Sequence, residues 1–286
     1  MHGERGYARP ESLADAVELL RDGLWRPVAG ATDLYPAMVT RQDPGPWLDL
    51  GGLCELRGID LVDGVWRIGA LVCWRELAEA DLPEWFHALR QAAVRVGGRQ
   101  IQNVATICGN IVNASPAADG APPLLALDAS VELCSVDGRR QLPLHEFLLG
   151  NRKTARRNDE LVTALLVPDR AATDRSVFLK LGARSHLVIS ISMVAVRVER
   201  DLVDGRVGEC AVAVGACAPT ARRLPRLERR LRTMDRAAAC TVSVEPDDLA
   251  PLAPIDDVRA SAAYRLEATA TLIRRAMAEV LPEECA

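Results

Sequence analysis

The sequence predicts an α+β protein of two domains, and three observations carry that reading. The chain has 286 residues, about two domains at roughly 150 residues each. Up to residue 168, short strands and helices alternate around two segments of small residues. From Ser176 three long strand-like runs follow one another, and two helical stretches close the chain. The pattern breaks at Pro-Asp-Arg-Ala-Ala-Thr-Asp over 168–174, which divides the chain into 1–170 and 171–286. Apolar residues are 49% and charged residues 26%, the mixture of a globular core former. Lys plus Arg is 35 against 39 for Asp plus Glu, a net charge of −4. That balance gives no general attraction to nucleic acid or to an anionic membrane.

The elements follow in order. Leu13, Ala16, Val17 and Leu20 recur at i, i+3, i+4 and i+7, one face of a helix over 12–22. Ser12 caps it, Asp15 echoes a capping box, and Gly23 ends it in a left-handed turn. A short strand at 25–29 leads into Gly30-Ala31-Thr32-Asp33. A Pro-Gly-Pro turn at 44–46 precedes a strand at 47–50, and 65–72 is a further strand. Leu82, Phe86, Leu89, Ala93 and Val96 alternate spacings of four and three, a helix over 83–96 with Trp85 and Phe86 in the core. The stretch from Arg99 to Ala121 keeps no period and reads as a loop, and a loop this long in a compact domain has a task. A helix resumes over 124–129. Strands follow near 130–136 and 160–167, with Asp137-Gly138 as a hairpin turn. Beyond the boundary, 177–184, 187–199 and 207–216 are long strands, the last two joined at Asp204-Gly205. Arginines from 222 to 236 suggest a solvated helix. In the final helix Leu266, Ala270, Ile273, Met277 and Val280 share a face.

No apolar h-region opens the chain, so no secretory signal is expected. Eight cysteines lie scattered, none in a Cys-x-x-Cys pair. Together these fit a reducing cytoplasm and offer neither a zinc nor an iron–sulfur site. The four histidines, His2, His87, His145 and His186, have no metal spacing.

Two segments could carry chemistry. Val28-Ala29-Gly30-Ala31-Thr32-Asp33-Leu34 follows a strand, and its small residues let the backbone approach a ligand. Successive N–H groups in such a turn can form an anion-binding nest, although an ordinary strand-ending turn has the same composition. The second segment, Thr106-Ile107-Cys108-Gly109-Asn110 through Ala114-Ser115-Pro116-Ala117-Ala118-Asp119, concentrates hydroxyls, amides and one carboxylate. That set suits a polyhydroxyl and phosphate ligand. The chain holds no G-x-G-x-x-G and no G-x-x-x-x-G-K-[ST], so a Rossmann dinucleotide site and a P-loop both lose their support.

The first segment resembles the Ala-Gly-Gly-Thr-Asp-Leu signature of the FAD-binding subunit of molybdenum hydroxylases. The second resembles that family's Ala-Thr-Ile-Gly-Gly-Asn followed by Ala-Ser-Pro-x-x-Asp. Pro122–Ala129, Val214–Thr220 with Arg222, and Asp257–Arg265 continue the likeness, so it spans nearly the whole chain. The xanthine dehydrogenase and carbon monoxide dehydrogenase types are the nearest in pattern.

This resemblance implies a two-part FAD-binding domain of the vanillyl-alcohol-oxidase-like type at 1–170, its lobes about 1–55 and 56–170. A smaller α+β domain with an antiparallel sheet and helices follows at 171–286. It implies non-covalent FAD, with Val28, Ala29, Gly30, Ala31, Thr32, Asp33 and Leu34 at the pyrophosphate. Thr106, Ile107, Cys108, Gly109 and Asn110 form the opposite wall. Ile101 and Ala105 match apolar positions nearby, and Asp119 matches a position that accepts hydrogen bonds from the cofactor. Leu161 and Lys180 fall where the family meets the flavin again. Ala31 and Cys108 each replace a family glycine, which strains the chain by about 1 kcal/mol or more if either position needs φ > 0.

In the family, [2Fe–2S] clusters and molybdopterin sit on separate small and large subunits, assembled as a dimer of heterotrimers. This chain would then pass electrons to an acceptor such as NAD or a quinone, with a purine or other N-heteroaromatic as the holoenzyme's substrate. No catalytic acid or base is expected here. Two other readings are a free-standing FAD oxidase or reductase, and a flavin-free assembly or scaffold subunit.

Overall fold

A computed structural model describes residues 6–39, 45–200 and 205–281. Pro44 of the expected turn, Asp204 of the expected hairpin, His2 and Cys285 lie outside the described residues.

The first lobe is a three-stranded parallel sheet. β1 (Tyr7–Ala8) and β2 (Arg26–Val28) flank β3 (Trp47–Asp49). Helix α1 (Leu13–Leu20) turns Leu13, Ala16, Val17 and Leu20 into the core shared with the second lobe, and Ser12 Oγ accepts the Asp15 N–H, as expected. Gly23 closes the turn at φ 65°. Helix α2 (Leu34–Met38) follows β2 after the loop 29–33 and buries none of its residues.

The second lobe is a five-stranded antiparallel sheet in the order β4 (Ile59–Val62), β5 (Val65–Gly69), β10 (Leu161–Pro168), β6 (Ser130–Ser135), β7 (Gly138–Pro143). Between β5 and β6 the chain forms α3 (Trp74–Glu79), α4 (His87–Ala93), α5 (Arg99–Gln102), α6 (Ile107–Asn113) and α7 (Ala121–Ala126). Trp85 and Phe86 are buried and stacked with ring centroids 4.1 Å apart, core residues as expected. A short helix, α8 (Leu144–Phe147), and the hairpin β8 (Leu148–Gly150) and β9 (Lys153–Thr154) lie between β7 and β10.

The third sheet is antiparallel: β11 (Arg175–Leu181), β12 (Ser192–Arg200), β13 (Val207–Gly215) and β14 (Arg222–Arg223). Alternate residues along a strand point to opposite faces. Met193, Ala195, Ala211 and Ala213 join the core shared with the two lobes. Val194, Val196, Val198, Val212 and Val214 form a second core with α9 (Pro225–Leu231), α10 (Arg236–Cys240) and α11 (Ala262–Val280). Burial on both faces is why these strands read as continuous apolar runs.

Two expectations need correction. The inner face of α11 begins with Arg265 and Thr269, while Leu266 and Ala270 are only half-buried. Arg265 holds the carbonyls of Ile191 and Ala216 and the Asp257 carboxylate, so polar positions turn inward where the sheet ends. The arginine stretch around α9 is not simply solvated. Arg223 pairs with Glu228 and Asp128, Arg226 with Asp247, and Arg230 with Asp248.

Candidate functional site

The two lobes face each other across a cleft of two joined chambers, about 610 and 600 Å³, each the size of a small-molecule site. Pro27, Ala29, Thr106, Gly109 and Val112 border both chambers, so one wall comes from the β2–α2 loop and the other from α6.

The loop wall is built for backbone contact. A Cβ on Gly30 would stand 1.9 Å from the Val104 carbonyl oxygen, so only glycine lets the loop lie against the second lobe. Ala31 follows at φ 54°, and its carbonyl accepts the N–H groups of Leu34 and Tyr35, turning the chain into α2. Ala31 therefore does occupy a left-handed position, at a cost of about 1 kcal/mol. The N–H groups of Gly30, Ala31, Thr32 and Asp33 have no acceptor among the described residues. Four consecutive unpartnered donors around a left-handed residue make an anion-binding concavity.

The opposite wall was expected to be a loop and is the first turn of α6. Thr106 Oγ1 accepts the Gly109 N–H at 2.9 Å, and Ala114 closes the helix at φ 48°. Gly109, Asn110 and Asn113 are poor helix formers, which hides the period. Ile107 departs from its expected place. It is fully buried in the core, and its N–H is given to the Val72 carbonyl at 3.1 Å. Cys108 borders the second chamber while 2% exposed, and burial pushes its thiol up to about 12. It lies within the helix and not at positive φ, so its replacement of a family glycine carries no such strain. Asn110 Oδ1 accepts the Gly120 N–H at 3.2 Å, leaving its amide nitrogen to the first chamber.

Of the residues expected at the cofactor, Val28 through Leu34, Ile101, Ala105, Thr106, Gly109 and Asn110 line the first chamber, and Leu161 and Cys108 the second. Asp119 and Lys180 line neither. They pair with each other at 2.6 Å, with side chains 7% and 8% exposed, and Ser190 Oγ donates to the other Asp119 oxygen at 2.8 Å. Burial pushes the Asp119 carboxyl up, and the Lys180 ammonium and Ser190 oppose that rise. Together Asp119 and Lys180 form an internal ion pair joining the second lobe to the third sheet. A buried carboxylate requires a partner, and β11 supplies one.

Sequence reasoning missed several cavity residues. Trp74 lines the first chamber, fully buried, with an indole Nε1–H that has no acceptor. Arg152 lies at the same chamber and donates to Asn113 Oδ1, with Asp33 3.9 Å away. Arg156 and Asn158 border the second chamber. Only tertiary contact brings these side chains to the cleft, and none stands in a motif.

Residues 3–170 match the family model described as the FAD binding domain in molybdopterin dehydrogenase. Residues 178–280 match the CO dehydrogenase flavoprotein C-terminal domain. The chain is 32% identical over 280 residues to a putative xanthine dehydrogenase FAD-binding subunit of Escherichia coli K12, covering 96% of this chain and 95% of the relative. It is 28% identical to the nicotine 6-hydroxylase medium subunit of Paenarthrobacter nicotinovorans, covering 96% of each. A solved structure of reconstituted CO dehydrogenase from Oligotropha carboxidovorans superposes with a TM-score of 0.88 at 27% identity, covering 98% of both chains.

Proposed function

The chain belongs to the family of FAD-binding subunits of molybdopterin dehydrogenases, and on that premise we propose that it is the electron outlet of a molybdenum hydroxylase complex. The observation that carries this reading is the row of four unpartnered N–H groups, Gly30 to Asp33, facing α6 across the cleft. A dinucleotide fits these walls. The donors suit a pyrophosphate, and Gly30 lets the loop that carries them lie against the second lobe.

In this proposal the loop from Val28 to Leu34, together with Thr106, Gly109 and Asn110, holds the FAD pyrophosphate and its neighbouring hydroxyls. Ile101, Ala105, Cys108 and Leu161 supply apolar wall, while Ile107, Asp119 and Lys180 support it from behind. FAD, when bound, supplies the redox chemistry, linking one-electron donors to a two-electron acceptor. The protein binds it, orients it and keeps water from its buried parts. We assign no acid or base: Asp33 and Arg152 are the ionisable side chains described in the first chamber, and they face each other. That arrangement disfavours a free-standing oxidase, and the row of unpartnered backbone donors disfavours a flavin-free scaffold.

Electrons would arrive from [2Fe–2S] clusters on a small subunit, with hydroxylation at molybdopterin on a large one, in a dimer of heterotrimers. NAD or a quinone would take them up. The names of the E. coli and Paenarthrobacter relatives favour a purine or another N-heteroaromatic as the substrate. Seven free thiols among the described residues favour the cytoplasm.

The test is gentle purification from the native host, followed by substrate addition. Co-purifying small and large subunits and bleaching of the flavin only in the complex are expected. A lone chain that oxidises a small molecule at about 10 turnovers per second, an ordinary enzyme rate, would overturn the reading.

A further inference from the structure

Arg156 stands on the connection between β9 and β10 and borders the second chamber. Its Nη1 donates to the carbonyls of Arg157 and Glu160 at 2.9 and 2.7 Å. It forms no ion pair among the described residues. The adjacent Glu160 carboxylate is already held by Arg140 through both oxygens, at 2.5 and 2.8 Å, and by the Arg157 N–H at 2.7 Å. A guanidinium carries five donors, so Arg156 keeps several, and its full charge, without an anion. Burial works against that charge and outweighs the nearby Glu160 and Asp159 carboxylates, which favour it through space.

The other two cavity arginines differ. Arg152 is held by Asn113 and Asp33, and Arg26 lies over the Trp47 ring at 5.7 Å from its centroid. The chamber beside Arg156 is continuous with the nest, since Pro27, Ala29, Thr106 and Gly109 border both. A partly desolvated cation that touches no carboxylate and borders a cavity gains from negative charge on the cavity's occupant.

We propose that Arg156 is a cofactor-binding residue that engages negative charge on the dinucleotide, complementing the backbone donors across the cleft. This rests on the FAD reading above. Two parts of the cofactor share that chemistry: the pyrophosphate, charged in every redox state, and the pyrimidine edge of the ring, which gains negative charge on reduction.

The test uses the full chain stripped of flavin and titrated with FAD, wild type against Arg156→Gln and Arg156→Lys. Loss of a charge-assisted contact weakens binding by about tenfold to a hundredfold. If the pyrophosphate is engaged, Arg156→Gln weakens oxidised FAD by that factor and flattens the salt dependence of the dissociation constant, and Arg156→Lys recovers part of both. If the ring edge is engaged, oxidised FAD binds almost as before and the midpoint potential of the bound flavin falls. Unchanged affinity, salt dependence and potential in a folded Arg156→Gln chain would overturn the proposal and leave the FAD reading standing. A wild-type chain that binds no FAD would overturn that reading itself.

Discussion

Two stretches of backbone in this protein are treated in opposite ways. At the β2–α2 loop, four successive N–H groups have no acceptor among the described residues. At the C-terminus of α7, three successive carbonyls each have an arginine. Arg223 reaches Leu125 O, Arg197 reaches Ala126 O and Arg170 reaches Leu127 O. The same three arginines converge on Asp128, which sits at φ 53° just past the helix. Arg197 and Arg223 also bind Asp174 and Glu228, so charge is balanced. Arg197 and Arg223 come from β12 and β14, and this joint ties the third sheet to the second lobe. Saturated backbone marks a joint that must not move. Unsaturated backbone, beside Gly30 and Ala31, is where we propose that the ligand binds.

The largest way to break the joint is Arg197→Met. Arg197 and Asp174 are each 3% exposed, so Asp174 would be left buried and unpaired. We expect a loss of about 3–5 kcal/mol in urea unfolding, with flavin binding weakened only as far as the fold is. A loss below about 1 kcal/mol would show the joint to be dispensable.

Glu160→Gln tests a saturated group at the cleft's edge. Its carboxyl, 1% exposed, is held below the ordinary range: burial opposes ionisation, but Arg140 and the Arg157 N–H outweigh it. A depressed pKa gives stability that is present above the ordinary glutamate range and lost as pH falls through the folded value. Wild type should exceed the variant by about 1.5–3 kcal/mol at neutral pH, and the gap should shrink as pH falls below the ordinary glutamate range and close through the lowered folded value. A gap that persists in acid contradicts the ionic origin.

Gly30→Ala attacks the open loop. Its Cβ would meet Val104 O, forcing the loop away from the second lobe. Stability should fall by about 1–3 kcal/mol, and flavin content in the purified chain should be largely lost. Full flavin content would show that this backbone does not hold the cofactor. The smallest change is Ala31→Gly. It relieves the left-handed alanine, so thermal unfolding should rise or stay level, a gain of less than about 1 kcal/mol, with flavin retained. A clear loss of stability would mean that Ala31 is not strained.

Much of this was legible in the sequence. The cap at Ser12, the apolar face of α1 and the strands β11 and β13 follow local patterns that the structure keeps, whereas the strand expected over 187–199 begins only at Ser192. The β2–α2 loop was legible because small residues after a strand have a specific backbone use. The first turn of α6 was not, since glycine and asparagine hide a helix that Thr106 and tertiary contact stabilise. Asp119 shows the other limit. Its carboxylate stands out among small residues, but the ion pair it makes with Lys180, 61 positions away on β11, is invisible in the sequence. Arg152, Arg156 and Trp74 reach the cleft only through the fold, and nothing in their neighbours marks them.

In the proposed function the unpartnered donors at 30–33 hold the cofactor, while the saturated carbonyls at 125–127 serve the joint. Amide hydrogen exchange on the full chain, stripped of flavin and then reloaded with FAD, tests it most directly. Gly30, Ala31, Thr32 and Asp33 should exchange freely without FAD and become protected with it, while residues 125–129 stay protected in both states. FAD that binds tightly without slowing exchange at 30–33 would contradict the account.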